Sequence, residues 1–289
     1  MNIQQSELIL NSDGSVYHLN LRPEHIADTF IFVGDPDRVQ EVVKLFDTVE
    51  FTIQKREFKT VTGTYKGKRL SVISTGIGAD NIDIVLNELD ALVNIDLKTR
   101  MPKTNLTSLT IVRIGTSGAL QKDIPINTFL MSSFGLDING MLQAYQTDKI
   151  SHPAMEEAFV SQTHWSSKKA TPLIIANDTV LAKKLYSEKV LTGMTATADG
   201  FYGPQSRVLR LPLADASLKD KMIDFHFNQI KVTNLEMETA AIYGLSKLLG
   251  HKACSMNAIL ANRINGTFSK NPSKIVGNLI QYTLDKLVQ

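Results

Sequence analysis

The chain has one cysteine, Cys254, in 289 residues. A lone thiol forms no intramolecular disulfide and builds no cysteine-ligated zinc site, so a reducing cytoplasm is the compartment expected. Long apolar stretches are missing too. Runs such as Phe30–Val33 stop after four residues, against the roughly 20 that a membrane-spanning helix needs. Residues 1–14 (MNIQQSELILNSDG) mix acid, Gln and Asn without an apolar core, unlike a secretory leader. Neither sign of charge dominates: 31 Lys and Arg against 29 Asp and Glu leave a net +2. That balance argues against nucleic-acid binding by bulk electrostatics, and pairs such as Lys168-Lys169 and Lys183-Lys184 read as solvated faces. The six histidines show no metal-ligand spacing, and G-x-S-x-G is absent. With 43% hydrophobic and 21% charged residues, the composition is that of a folded chain.

No repeat, low-complexity tract or linker divides the sequence, so one domain is expected over 1–289, with 1–15 as an N-terminal extension. β-rich runs alternate with helical periods, which predicts an α/β fold. The strands expected are Thr29–Val33, Lys55–Tyr65, Leu70–Ser74, Leu109–Ile114, Thr128–Ser132, Leu173–Ala176, Val190–Thr197 and Ala253–Leu260. Helices are expected from about Asp37 to Phe46, over Ala79–Leu92 and Leu235–Leu249, and after Pro272. In Leu235–Leu249, Met237, Ala240, Ala241, Gly244, Leu245 and Leu248 form a core-facing stripe. Residues 133–170 and 200–230 lack a clean period and are expected to hold loops or lids.

Familiar motifs fail on inspection. Gly63–Lys68 is one residue short of a phosphate-binding P-loop, and Gly76–Asn81 lacks the third glycine of a dinucleotide fingerprint. What remains is a set of turns at strand ends. Gly34-Asp35-Pro36-Asp37-Arg38 brings backbone N–H groups and a guanidinium to a helix N-terminus, which suits an anion. Arg113 and the following Gly115-Thr116-Ser117-Gly118 offer a second such place, and an unpaired buried guanidinium is costly. In Asn234-Leu-Glu236-Met-Glu238, Asn234 is expected to cap a helix while one carboxylate turns inward toward a vicinal diol. Asp199–Arg207 supplies an aromatic face, an amide and a guanidinium for a planar heterocycle. Taken singly, each of these is equally a structural turn, cap or exposed loop.

Together the segments resemble a known family. GDPDRV (34–39), REF (56–58), STGIG (74–78), RIGTSGAL (113–120), FYGPQSR (201–207), NLEMETAA (234–241) and ANR (261–263) are similar to the nucleoside phosphorylases. Their order and spacing match the uridine phosphorylases best, from about Val16 to the C-terminal helix. The resemblance implies a three-layer α/β/α fold around a mixed, partly barrel-like sheet. It also implies a phosphate pocket of Gly34, Arg38, Arg113 and Thr116, with Arg56 on a strand reaching in from a neighbouring subunit. Ribose would meet Glu236, Met237 and Glu238, with His18 of the neighbour on its 5′-hydroxyl. The base would meet Ser117, Phe201, Gln205 and Arg207. A monovalent-cation site would map to Glu57, Ile77 and Asn81. At least a dimer is implied, and a hexamer of three dimers fits the family.

The implied reaction is phosphorolysis of a pyrimidine nucleoside, with phosphate as co-substrate and no organic cofactor. Charge builds up positive on ribose and negative on the departing base, so arginine-held phosphate serves one end and hydrogen-bond donors the other. Purine-specific relatives carry an aspartate where Asn262 stands here. Phosphorolysis of purines, hydrolysis of nucleosides and nucleoside binding without catalysis are the alternatives.

Overall fold

The computed structural model describes residues 2–289. The first apolar run, Thr29–Val33, is strand β1 and is buried along its whole length. Phe30 and Phe32 pack into one apolar cluster while Ile31 and Val33 pack into another, so β1 is covered on both faces. Such strands read as continuous apolar runs. Strands β2 (Thr48–Lys55), β3 (Phe58–Tyr65) and β4 (Lys68–Ser74) form an antiparallel meander beside it. β5 (Ile95–Asp96) and β6 (Met101–Pro102) pair only with each other. The remaining strands are β7 (Thr110–Ala119), β8 (Phe129–Asp137), β9 (Leu173–Ala176), β10 (Val190–Thr197), β11 (His226–Phe227), β12 (Ile230–Glu236), β13 (Lys252–Asn262) and β14 (Thr267–Phe268).

The main sheet runs β11-β12-β10-β8-β13-β7-β1-β4-β3-β2, with β9 on β8 and β14 on β13. β12 also pairs antiparallel with β7 through Asn234 opposite Ala119 and Leu235 opposite Gly118. This last pairing closes β7, β12, β10, β8 and β13 into a five-stranded ring, the partly barrel-like element. Helices α1 (Pro36–Val43), α2 (Ala79–Asn94), α3 (Pro153–Thr163), α4 (Thr179–Leu185), α5 (Leu218–Asp224), α6 (Thr239–Leu248) and α7 (Pro272–Val288) flank the sheet. α2 and α6 fill one apolar cluster and α1, α4 and α7 the other, which gives three layers.

Four expectations need correction. The predicted strand Lys55–Tyr65 is broken at Arg56-Glu57, which makes the tip of the β2–β3 hairpin. β2 is an edge strand with no fully buried residue, so no apolar run announced it. The segment Arg113–Gly118 is the middle of β7 and not a turn beyond a strand. The helix predicted from Leu235 begins at Thr239, because Ile230–Glu236 is strand β12. Finally, α3 lies inside a segment expected to be loop.

Candidate active site

Arg113 is buried in the middle of β7. Its Nη2 donates to Glu238 Oε2 at 2.6 Å and lies 2.9 Å from Glu236 Oε2, while Nη1 donates to Asn257 Oδ1 at 3.1 Å. Gly115 makes room for the guanidinium: a Cβ there would lie 1.9 Å from Nη1. Residues i and i+2 of a strand share a face, so only a missing side chain lets Arg113 fold along its own strand. Burial works against charge on Arg113, but the Glu236 and Glu238 carboxylates overcome it and leave its pKa raised. Burial likewise pushes the Glu238 carboxyl up, with Arg113 pulling it down and Glu236 pushing with burial.

The two glutamates do different work. Glu236, at the end of β12, accepts from the backbone N–H groups of Glu238 and Thr239 at 3.0 Å and from the Thr197 hydroxyl at 2.8 Å. It therefore caps α6, the role expected of Asn234, which lies instead in β12. Its oxygens are occupied by protein donors. Glu238 has fewer partners: Arg113, and the N–H of Gly78 on Oε1 at 2.9 Å. Gly78 holds φ 104°, in the region that favours glycine.

Arg113, Glu236 and Glu238 line a cavity of about 370 Å³. Gly34, Arg38 and Thr116 line it as well, as do Ser117, Met237, Phe201, Gln205 and Arg207. At Arg38 the chain departs from the simple anion site read from the sequence. The Asp35 carboxylate caps α1 by accepting from the N–H groups of Asp37 and Arg38 at 2.8 and 2.9 Å, so those donors are taken. The Arg38 guanidinium is mostly buried and lies 3.5 Å from Asp35 Oδ2, with burial lowering its pKa and Asp35 opposing that shift. Ile77 and Phe268, 67% and 63% exposed, add an apolar rim.

The other part of the pocket is carried by the loop 199–207. Arg207 stacks on Phe201, with Cζ 3.8 Å from the ring centroid, and its Nη1 donates to Gln205 Oε1 at 2.5 Å. Arginine only donates, so this contact fixes the amide and leaves Gln205 Nε2 to donate elsewhere. Arg263 pins the same loop: Nη1 donates to the Gln205 carbonyl at 2.6 Å and Nη2 to the Ser206 carbonyl at 3.3 Å. Its stem packs at Gly118, where a Cβ would lie 3.3 Å from Arg263 Cδ. Burial and the charge of Arg207 lower the Arg263 pKa to about 10. The motif ANR contains Arg263, but no local pattern gives it this role, because Gly118, Gln205 and Ser206 are distant from it along the chain. Asn262 is buried and does not line the cavity. Its Nδ2 donates to the carbonyls of Gln121 and Ile124, and its Oδ1 accepts from the N–H groups of Ile264 and Asn265.

Four sequence-derived candidates lie away from the cavity lining. His18 Nδ1 is 2.6 Å from Glu88 Oε1, and the N–H groups of His18 and Leu19 also donate to Glu88. Arg56, at the hairpin tip with φ 55°, has its guanidinium 5.8 Å from the Tyr17 ring centroid. Glu57 and Asn81 both approach Gly76. The Asn81 amide lies 3.5 Å from the Ile77 carbonyl.

A closed five-strand ring thus carries a buried arginine–diglutamate cluster, and a donor-rich loop faces it across the cavity. The sequence matches the Phosphorylase superfamily over residues 28–283, and the chain belongs to that family. A uridine phosphorylase from Thermococcus kodakarensis is 30% identical over 262 residues, 91% of this chain and 83% of its own. A DeoD-type purine nucleoside phosphorylase from Listeria welshimeri is 27% identical over 241 residues, 83% of this chain and 84% of its own. Among solved structures, a Trypanosoma brucei nucleoside phosphorylase described as showing uridine phosphorylase activity superposes with a TM-score of 0.88 at 27% identity. That match covers 97% of this chain and 99% of the other. Among the described residues, no helix is long and apolar enough to cross a membrane.

Proposed function

We propose that the protein cleaves the N-glycosidic bond of uridine with inorganic phosphate, giving uracil and ribose 1-phosphate. The observation that carries this reading is the pairing of the buried Arg113 and mostly buried Arg38 with a loop that lines the cavity with donors and with none of its acids. Arg113, Arg38 and the Gly34 and Thr116 segments would hold phosphate below C1′, and Glu238 would accept from the ribose 2′- and 3′-hydroxyls beside Met237. As the C1′–N1 bond breaks, its electron pair leaves with uracil and a phosphate oxygen bonds to C1′. Gln205 Nε2 and Arg207 would meet the carbonyl oxygens where the departing charge gathers. Uracil leaves as an anion and takes its proton from solvent. Positioning of the two reactants contributes up to ~7–11 kcal/mol in favourable cases. No cofactor beyond phosphate enters this chemistry.

The similarity to purine phosphorylases motivates a second reading. A leaving purine benefits from an acid at N7, and the acids lining the cavity are Asp35, Glu236 and Glu238, none of them on the base loop. Asn262 has no proton to give and is consumed by backbone groups. The test compares uridine and inosine in phosphate buffer: kcat/KM for uridine is expected to exceed that for inosine by orders of magnitude. Equal turnover would replace the pyrimidine reading with the purine one.

A site shared between two copies of the chain completes the proposal, in a cytoplasmic homo-oligomer built from dimers. The absence of His18 and Arg56 from the cavity lining supports it, as do the exposed apolar rim residues Ile77 and Phe268. Mixing inactive Arg56→Ala with inactive Glu238→Ala, after dissociation and reassembly, should restore activity. No recovery from demonstrably mixed oligomers would contradict a shared site.

A further inference from the structure

Inside the closed ring, side chains from all five strands, two of them from β7, join a continuous hydrogen-bonded chain. It starts at Arg113 of β7, whose Nη1 donates to Asn257 Oδ1 of β13 at 3.1 Å. Asn257 Nδ2 then donates to Ser132 Oγ of β8 at 3.1 Å, and Ser132 Oγ lies 2.5 Å from Thr195 Oγ1 of β10. Thr195 Oγ1 donates to Asn234 Oδ1 of β12 at 2.8 Å, and Asn234 Nδ2 donates to Ser117 Oγ at 2.9 Å, back on β7. Asn257, Ser132, Thr195 and Asn234 are fully buried.

The direction of this chain is fixed from its charged end. A guanidinium has no acceptor, so the atom of Asn257 facing Arg113 is the oxygen and the atom facing Ser132 is the donating nitrogen. Ser132 accepts from Asn257, and Thr195 is the acceptor available for its single proton. Thr195 must then donate to Asn234, and Asn234 to Ser117. The reverse order would leave the Ser132 proton without an acceptor in a fully buried position, which native structures avoid. Ser117 therefore spends a lone pair on the chain and keeps its own proton for the cavity it lines.

We propose that this one-way chain makes Ser117 a hydrogen-bond donor to a carbonyl oxygen of the departing base, with Asn257 as the positioning residue that sets its direction. Ser117 lies four residues beyond Arg113 on β7, about 13 Å along the strand, next to the Gly118 on which Arg263 packs. The Arg113 guanidinium folds back over Gly115, and Ser117 lies beyond it on the side where Arg263 and Gln205 approach. A charge that holds phosphate at one end of the pocket thereby polarises a donor at the other. The inference rests on the phosphorolysis reading.

Asn257→Asp tests it, because a carboxylate accepts from Arg113 and from Ser132 at once. Each later group then turns round, and Ser117 gives its proton to Asn234. The experiment is a double-mutant cycle of Ser117→Ala and Asn257→Asp, read as kcat/KM for uridine at saturating phosphate and as KM for phosphate. Ser117→Ala should lower kcat/KM about five- to tenfold in the wild-type background and less than about twofold in the Asn257→Asp background, with phosphate KM unmoved by Ser117→Ala. Asn234→Asp, which takes the Ser117 proton directly, serves the same cycle if Asn257→Asp does not fold. Equal factors in both backgrounds, or a Ser117→Ala effect confined to phosphate KM, would overturn the chain. A wild-type enzyme that shows no phosphate-dependent uridine cleavage would overturn the function reading instead.

Discussion

On the proposed reading one end of the pocket takes the anion and the other the base, and the two ends are built from different material. At the anion end, Arg113 and Glu236 stand on strands of the closed ring, Glu238 stands where α6 begins, and all three are under 10% exposed. At the base end, Phe201 and Tyr202 are 52% and 55% exposed on a loop, and Arg207 holds Gln205 from two residues away. The first end is assembled by pairing strands distant in sequence, and its geometry cannot change without disturbing the core. The second is a local turn pinned by one arginine from outside, Arg263. Stability and activity should therefore be coupled at one end and separable at the other.

The largest expected effect is at Arg113. Arg113→Ala leaves two buried carboxylates without their partner, which costs about 3–5 kcal/mol of stability when a buried pair is broken. It should also lower kcat/KM at least about 100-fold, since charge-assisted hydrogen bonds contribute roughly 1.5–3 kcal/mol each. Urea unfolding and phosphate kinetics on one preparation check both. Arg207→Ala should lower kcat/KM for uridine by about 10–100-fold yet cost no more than about 1 kcal/mol of stability, because this half-buried side chain bonds only to its own loop. A large stability loss at Arg207 would erase the distinction between the two ends. Arg263→Ala releases the loop without touching its side-chain donors, so KM for uridine should rise about five- to tenfold while phosphate KM stays fixed.

The smallest effect marks the background far from either end. Asp285 is held down to about 2 by its hydrogen bonds from Lys66, Gln281 and Tyr65, which tie α7 to the β3–β4 hairpin. A depressed carboxyl pKa contributes stability that is present above the unfolded value, near 4, and disappears as pH falls toward about 2. Asp285→Asn should cost under about 1 kcal/mol at neutral pH after solvent screening, and activity should not change. Thermal melts from pH 7 downward should show the gap to wild type closing below about pH 4. A constant gap would mean that packing and not charge holds this contact.

This division also decided what the sequence displayed. Buried runs such as Thr29–Val33 and Leu173–Ala176 announced their strands, and Phe201, Gln205 and Arg207 formed a readable local cluster. The anion end was misread locally although its residues were named. Gly115 and Gly118 looked like turn residues, but they are strand positions emptied to admit Arg113 and Arg263. Ile230–Glu236 lost to a helical stripe because the apolar spacing that α6 uses begins before α6 does. The pairing of Arg113 with Glu238 joins positions 125 residues apart, and no local pattern encodes it. The Arg56-Glu57 tip carries no Gly or Asn to signal a hairpin, whereas Lys66-Gly67, with φ 47° and 78°, was legible. α3 buries only Met155, Phe159 and Thr163, too thin a stripe to stand out in its surroundings.

On the proposed reading a buried, arginine-held phosphate takes ribose from a base that leaves through donors alone. Its most direct test incubates wild-type protein with uridine in phosphate buffer and in a phosphate-free buffer of equal ionic strength, following uracil and ribose 1-phosphate together. Uracil should form only with phosphate present, matched one to one by ribose 1-phosphate. Uracil release at the same rate in both buffers, with free ribose as the second product, would contradict it.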